Sequence, residues 1–496
     1  MRIDSLKNKI KNILEKIDVK KNYKILIAGI CAAVVLYCCT YFCIRRSQIV
    51  KALNKNTYTI FEEQESHFNN ACDETGYERR KTVHALPYDT VAAKLDVNAE
   101  SAILINADTG DILYEKNADE VIPPASMTKI FLMYTVFQKI KRGDATLDDI
   151  VPLPEETWAS HMPPHSSLMF LGKNQTVTLR ELMQGLAVCS GNDASHAIAL
   201  YLFGSEQNFI DEVNEEIKKC GLEKTKIVEP SGYSEENVTT AREMAAFARI
   251  YVTKYPESLT DYHSLKKFIY PKKENIAKED IGKPAQDLSR GHPDSIWSGL
   301  EQQNTNKLLK TLEGCDGIKT GYIDESGYNL SLTCIRNGER YISVTMKGPG
   351  GRYADGDPLR QKDGTTLMEF AFGNFTEIKP DKKILTVFNT PVLATKNKEF
   401  GKANTVLLKI PYEINTVVPK FFNGDEVDAN RDLRCEIDKP RYIFGTVKAG
   451  QRFGTIKVFV KDVLIEEVPL VAFSDVEKNS GIIARLFDRI IVKTIK

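Results

Sequence analysis

The chain has no excess charge. Its 67 Lys and Arg residues are matched by 67 Asp and Glu residues, so no global field argues for a nucleic-acid partner. It also has no CxxC pair. Six of its cysteines (Cys72, Cys189, Cys220, Cys315, Cys334, Cys435) are scattered without the spacing of a metal site or a redox motif, and they read as buried free thiols. The seven histidines lack metal-ligand spacing too. His161 and His165 in "HMPPHSS" are the one close pair, and the prolines between them leave no helical face for zinc. No metal ion or organic cofactor is implied.

What is present begins with an uncharged apolar run, "ILIAGICAAVVLYCCTYFCI", at residues 25–44, about long enough to cross a bilayer. Lysines and Arg2 crowd residues 1–24, so the positive-inside rule keeps the start cytoplasmic and exports everything after Arg45. A cleaved signal peptide is the rival reading. The long basic segment and the full-length span favour an uncleaved transmembrane anchor. Ile3, Leu6, Ile10, Ile13 and Ile17 share one face of a basic amphipathic segment that suits the inner leaflet or a partner helix. Residues 45–96 read as a stalk.

The 496 residues are enough for two or three cores. "SAILINADTGDILYEKNADE" reads as a hairpin turning at Asp108–Asp111. A helix is expected from about Ser126 to Arg142, and "TLRELMQGLAV" and "DASHAIALYLFG" as two helices broken at Ser190-Gly191-Asn192. Residues 271–300 read as an insertion loop. From Gly314 the period changes to two, with antiparallel strands around the Asn337-Gly338 turn and a closing helix in "TTLMEFAFGNF". After about residue 376, short strands with polar turns suggest a small all-β sandwich. The final "SGIIARLFDRIIVKTIK" is a basic amphipathic helix that suits a membrane surface, or else packs on the sandwich.

Ser-x-x-Lys alone is a weak signal, since Ser264 and Lys267 form a decoy. The case for Ser126 rests on an ordered set: Ser126-x-x-Lys129, then Ser190-Gly191-Asn192 at a helix break, then Lys319-Thr320-Gly321 on a strand. A serine at a helix start can be a mere cap. Beside a lysine one turn on, it can instead be a nucleophile with its base. Burial and a second cation, Lys319, would lower the pKa of Lys129 and free its lone pair. Ser190 and Asn192 offer a hydroxyl relay and an amide, or simply a turn. Lys319 and Thr320 offer a cation and a hydroxyl for a carboxylate, and Gly321 lets a substrate backbone lie against the strand.

With these motifs, "SSLMFL", "LMQGLAVCSGNDAS", "TTAREMAAFAR", "NTNKLL" and "CDGIKTGY", residues 97–475 resemble the serine-type D-alanyl-D-alanine carboxypeptidases, the low-molecular-weight penicillin-binding proteins. The resemblance implies an α+β DD-peptidase/β-lactamase-like domain (97–375), a β-domain (376–475) and a C-terminal amphipathic helix (479–496). It implies that Ser126 attacks the penultimate D-Ala carbonyl of peptidoglycan stem peptides, with Lys129 as base and Ser190 passing a proton to the leaving D-Ala. Asn192 would bind the substrate amide, and Lys319 and Thr320 the terminal carboxylate. Backbone N–H groups of Ser126 and Tyr322 would form the oxyanion hole, and Arg360 is the match for a further carboxylate-binding arginine. β-Lactams would acylate Ser126, on the outer side of a bacterial cytoplasmic membrane. Two departures stand out: Tyr322 after the Lys-Thr-Gly, and "VEPSGY" (228–233) in place of an "NPHGL"-like turn. A DD-endopeptidase, a serine β-lactamase and a non-catalytic wall-binding protein are the alternatives. The lactamase is disfavoured by the β-domain and by the lack of a Glu-x-x-x-Asn loop after the second motif.

Overall fold

The computed structural model describes residues 19–53, 67–69, 71–72, 83–86, 88, 93–278, 299–351, 355–379, 388–394, 405–412, 414–422, 424–477 and 482–494. The amphipathic segment before Val19 and the middle of the 271–300 insertion lie outside the described residues.

The apolar run forms helix α1, Val19–Leu53. It is the one helix among the described residues long and apolar enough to cross a membrane. It does not stop at Arg45, where the stalk was expected to begin. Ile49 continues the helix and is buried with Leu393 and Ile491. The stalk is also not free of contacts. Phe68 and Cys72 are buried against Leu407, Val471 and Phe473, and Tyr88 donates to the carbonyl of Val417 at 2.7 Å. Charged, aperiodic sequence gave no sign of these contacts because each partner lies hundreds of residues away.

The first folded unit is built on a six-stranded sheet, in the order β1 (His84–Ala85), β3 (Asp111–Lys116), β2 (Ser101–Asn106), β6 (Glu339–Gly348), β5 (Gly327–Arg336) and β4 (Cys315–Ile323). β1 runs parallel to β3, and the other neighbours are antiparallel. The expected hairpins are both present: β2–β3, and β5–β6 around Asn337-Gly338, where both residues take positive φ as a tight two-residue turn requires. On one face lies a large core formed by helices α2 (Lys129–Arg142), α3 (Leu179–Val188), α4 (Asn192–Phe203), α5 (Glu206–Lys219) and α6 (Ala241–Lys254). On the other face α7 (Gly356–Asn374) covers Leu104, Leu330 and Leu332 with Leu367 and Met368. α7 starts nine residues before the segment that its apolar pattern marked out.

Local sequence sets these boundaries. Thr178 and Glu181 form a reciprocal capping box at the start of α3. The hydroxyl of Thr240 accepts from the N–H of Glu243 to begin α6. α2 ends at Gly143 in the left-handed conformation (φ 82°), which glycine adopts without a Cβ clash. The insertion at 271–300 leaves and returns through a two-stranded ladder, Lys267–Ile269 against Glu301–Gln303.

The second unit is all-β. It opens with β7 (Phe375–Ile378), which pairs with β10 (Thr416–Pro419). Its main sheet has the order β11 (Leu433–Asp438), β13 (Arg452–Val460), β14 (Val463–Ala472), β9 (Thr405–Lys409), β8 (Phe388–Leu393) and β12 (Ile443–Phe444). The chain closes with α8, Ile482–Thr494. This helix lies against α1 rather than on the sandwich alone: Phe487 meets Tyr41 edge-on at 5.3 Å. Ile482, Leu486 and Ile490 on α8 remain exposed. Of the six scattered cysteines, Cys72, Cys189 and Cys334 are buried, while Cys220, Cys315 and Cys435 are only partly so.

Candidate active site

The expected helix at Ser126 is in fact two pieces. Ala125–Thr128 is a 3-10 turn, and the α-helix begins at Lys129. Ala125 takes a left-handed φ of 50°, which costs a non-glycine residue roughly 1–3 kcal/mol and persists where the surroundings enforce it. The turn holds Ser126 within reach of Lys129, whose Nζ donates to Ser126 Oγ at 3.0 Å. Ten successive residues, Lys129–Gln138, are buried. The lysine is therefore fixed at the base of a helix that the core clamps on all sides.

The second motif arrives at the break between α3 and α4. Lys129 Nζ donates to Asn192 Oδ1 at 2.8 Å. Ser190, at φ 61°, is 3% exposed, and its Oγ has no hydrogen-bond partner among the described residues. Asp193 sits wholly buried behind it. Its carboxylate accepts the N–H groups of Met169, Phe170, Leu171 and Ala194 at 2.8–3.0 Å, which pins the 166–171 loop across the break.

The third motif lies on β4, the edge strand of the sheet. A Cβ on Gly321 would come within 2.5 Å of the Pro124 carbonyl oxygen and 3.3 Å of Ser126 N, so only glycine lets the strand lie this close to the serine turn. Lys319 is buried and donates to the carbonyl of Thr320 at 3.1 Å. Thr320 Oγ1 donates to Thr305 Oγ1 at 2.8 Å. Tyr322 donates to Asp324 at 2.8 Å and packs on Tyr328. Arg360 reaches β4 from the opposite side. Its guanidinium donates to the carbonyls of Gly321 and Asn329 at 3.3 and 3.4 Å and pairs with Asp357. Like Lys129, Ser190, Lys319 and Thr320, it is not among the residues that line the open cleft at Ser126.

That cleft has a volume of about 440 Å³. Ser126, Asn192, Gly232, Tyr233 and Tyr322 line it together with the Pro164–Ser167 loop. Burial sets its electrostatics. Loss of hydration pushes Lys129 down to about 7, against the opposing charges of Glu229 and Asp193. Burial also drives Lys319 well below the usual lysine range, helped by the cations Lys129 and Arg360. Two neighbouring buried amines cannot both carry a proton cheaply.

Sequence reasoning missed one wall of this site. Lys129 Nζ also donates to the carbonyl of Ser231, at 2.5 Å, and Gly232 packs on the peptide of Ala125. The only signal was the Pro-Ser-Gly turn within "VEPSGY". Thr305, within "NTNKLL", was likewise given no part.

Residues 88–350 match the family described as D-alanyl-D-alanine carboxypeptidase. The chain belongs to the D-alanyl-D-alanine carboxypeptidase family. It is a serine-type hydrolase of that family, and residues 382–478 match the C-terminal domain of penicillin-binding protein 5. It is 31% identical to D-alanyl-D-alanine carboxypeptidase DacF of Bacillus subtilis, over 78% of this chain and 88% of the relative. It is 29% identical to DacC of Escherichia coli, over 80% and 88% respectively. Among solved structures, penicillin-binding protein 5 from Haemophilus influenzae superposes with a TM-score of 0.63 at 24% identity, covering 79% of this chain and all of that one. Penicillin-binding protein 6B from Escherichia coli gives 0.57 at 25%, covering 79% and 99%. This carboxypeptidase shares with them an α+β unit followed by an all-β unit.

Proposed function

We propose that this protein removes the terminal D-Ala from peptidoglycan stem peptides through an acyl-enzyme on Ser126. The observation that carries the reading is the contact between Ser126 Oγ and a buried Lys129 whose pKa is pushed to about 7. A neutral lysine keeps two N–H donors, enough for Asn192 and the Ser231 carbonyl, and turns its lone pair to the serine hydroxyl. Ser126 Oγ gives its proton to Lys129 and attacks the carbonyl carbon of the penultimate D-Ala. The N–H groups of Ser126 and Tyr322 stabilise the oxyanion. Ser190, whose hydroxyl has no hydrogen-bond partner among the described residues, passes a proton to the departing D-Ala nitrogen. It is resupplied by the proton that Lys129 took from Ser126, which returns the lysine to its neutral form. Lys319 and Thr320 hold the terminal carboxylate on the edge strand, and Asn192 binds the substrate amide. Arg360 supports the same strand through the carbonyl of Gly321. Water then cleaves the ester and frees Ser126. β-Lactams, which present a similar amide to the same serine, acylate it and stay.

Residues 97–375 carry this chemistry in our reading, 376–475 form the β-domain, and 25–44 anchor the chain in a bacterial cytoplasmic membrane with the catalytic unit outside. The exposed Ile482, Leu486 and Ile490 lay α8 on the membrane surface. Turnover of a D-Ala-D-Ala peptide tests the reading. The protein should release D-Ala steadily, and Ser126→Ala should abolish release. Cleavage confined to cross-linked dimers, giving monomeric peptides without free D-Ala, would make it an endopeptidase, and rapid hydrolysis of penicillin would make it a lactamase.

A further inference from the structure

Glu229 is the hub of the loop that closes the missed wall. Its Oε2 accepts the N–H and the hydroxyl of Ser231 at 2.8 and 2.6 Å. Its Oε1 accepts the N–H groups of Gly232 and Ser234 at 2.6 and 3.3 Å, and the side-chain amide of Asn237 at 2.9 Å. These bonds aim the Ser231 carbonyl at Lys129 Nζ. They also seat Gly232, at φ 78°, so that a Cβ there would lie 1.9 Å from the Ala125 carbonyl oxygen and 2.9 Å from Ser126 N. Asn237, held by the same carboxylate, donates to Thr128 Oγ1 at 3.3 Å in the nucleophile's own turn. The donors that meet Glu229 all point at a carboxylate, an acceptor-only group. An amide in its place would turn its NH₂ toward at least one of these N–H groups and leave it unpaired.

The charge of Glu229 has no direct ion-pair partner among the described residues. The cation it faces is Lys129, and it is the strongest of the influences that hold the Lys129 proton on against burial. We propose that Glu229 is a positioning residue for both Ser126 and Lys129, acting through the shape of the 229–237 loop and through its own negative charge. The proposal rests on the reading of Ser126 and Lys129 as nucleophile and base. The other groups that face Lys129 are Asp193 from α4, Cys189 from the end of α3 and Lys319 from β4. Burial pushes the Cys189 thiol up to about 12, so it stays neutral. The Asp193 carboxylate is already occupied by four backbone N–H groups. Glu229 is therefore the anion that a single substitution removes with least disturbance to the helices.

The test is the second-order rate constant for acylation of the full-length protein by a fluorescent penicillin, measured from acid to alkaline pH. Removing the anion lowers the proton affinity of Lys129, so Glu229→Gln should move the midpoint of the acid limb to lower pH, by about half a unit. Glu229→Asp keeps the charge but shortens its reach. It should leave the midpoint in place and lower the plateau rate on the order of tenfold. An unmoved midpoint in Glu229→Gln overturns the proposal. If that variant does not fold, a wild-type plateau in Glu229→Asp overturns it. Ser126→Ala separates the two readings. Labelling that survives in Ser126→Ala sinks the nucleophile assignment. Labelling lost there, with both Glu229 variants behaving as wild type, sinks only this inference.

Discussion

Arg45 and Asp488, 443 residues apart, are joined by two hydrogen bonds of 2.8 and 3.0 Å in a buried pocket. Asp488 also accepts the N–H of Ala394 at 2.7 Å, so one carboxylate ties the first helix, the last helix and an edge of the β-domain together. Ile49, Leu393 and Ile491 pack beside it. The last helix and the β-domain thus meet α1 near its C-terminal end.

Breaking this pair leaves a charge buried without its partner, which costs about 3–5 kcal/mol. Asp488→Asn should therefore release α8. Limited proteolysis of the full-length protein would cut within residues 478–494 markedly faster than in the wild type, while the penicillin acylation rate stays unchanged. Equal cleavage rates would mean that apolar contacts alone hold the helix.

The acylation rate should rise with pH through about 7, because Lys129 must lose its proton before it can take one from Ser126. Lys129→Arg keeps the cation protonated at every working pH. It should lower the rate by about 10²–10⁴-fold and remove the inflection near neutrality. A stopped-flow pH profile of both proteins checks this.

Gly232→Ala introduces a Cβ where the Ala125 carbonyl oxygen stands 1.9 Å away, at a left-handed φ of 78°. The loop has to retreat from the serine turn. Acylation should fall at least tenfold, roughly the cost of misplacing a reacting group by a fraction of an ångström. The melting temperature should fall by only a few degrees.

His263 is fully buried beside Tyr251, 3.0 Å from its hydroxyl, and burial followed by the Lys319 charge pushes it down to about 3. In the unfolded chain it titrates near ~6.5. Between those values the unfolded state binds the extra proton, so stability falls as pH drops through that window, by up to about 1.4 kcal/mol per unit. His263→Gln should flatten the decline of melting temperature between pH 6.5 and 4. An unchanged slope would place the acid sensitivity elsewhere.

The chemistry-bearing residues were legible because each motif carries its own local cause. Ser190-Gly191-Asn192 breaks a helix, Gly143 ends one, and Asn337-Gly338 turns a hairpin that aligns β5 with β6. The residues that join the motifs were not. Glu229 reads as a surface acid until Ser231 and Gly232 are seen against Lys129 and Ala125, a contact across more than 100 positions. Arg45 reads as the charged end of a membrane span until Asp488 pairs with it. Ser126 reads as the start of an α-helix, but Ala125 in the left-handed region tightens that start into a 3-10 turn. In each case a long-range partner overrides the local pattern, and no period or propensity encodes such a partner.

The central claim is that Ser126 is the nucleophile, and mass spectrometry after incubation with penicillin tests it most directly. The predicted result is a single stable adduct on the peptide that contains Ser126, absent from the Ser126→Ala protein. An adduct of equal yield in Ser126→Ala, or one carried by a different peptide of the wild type, would contradict it.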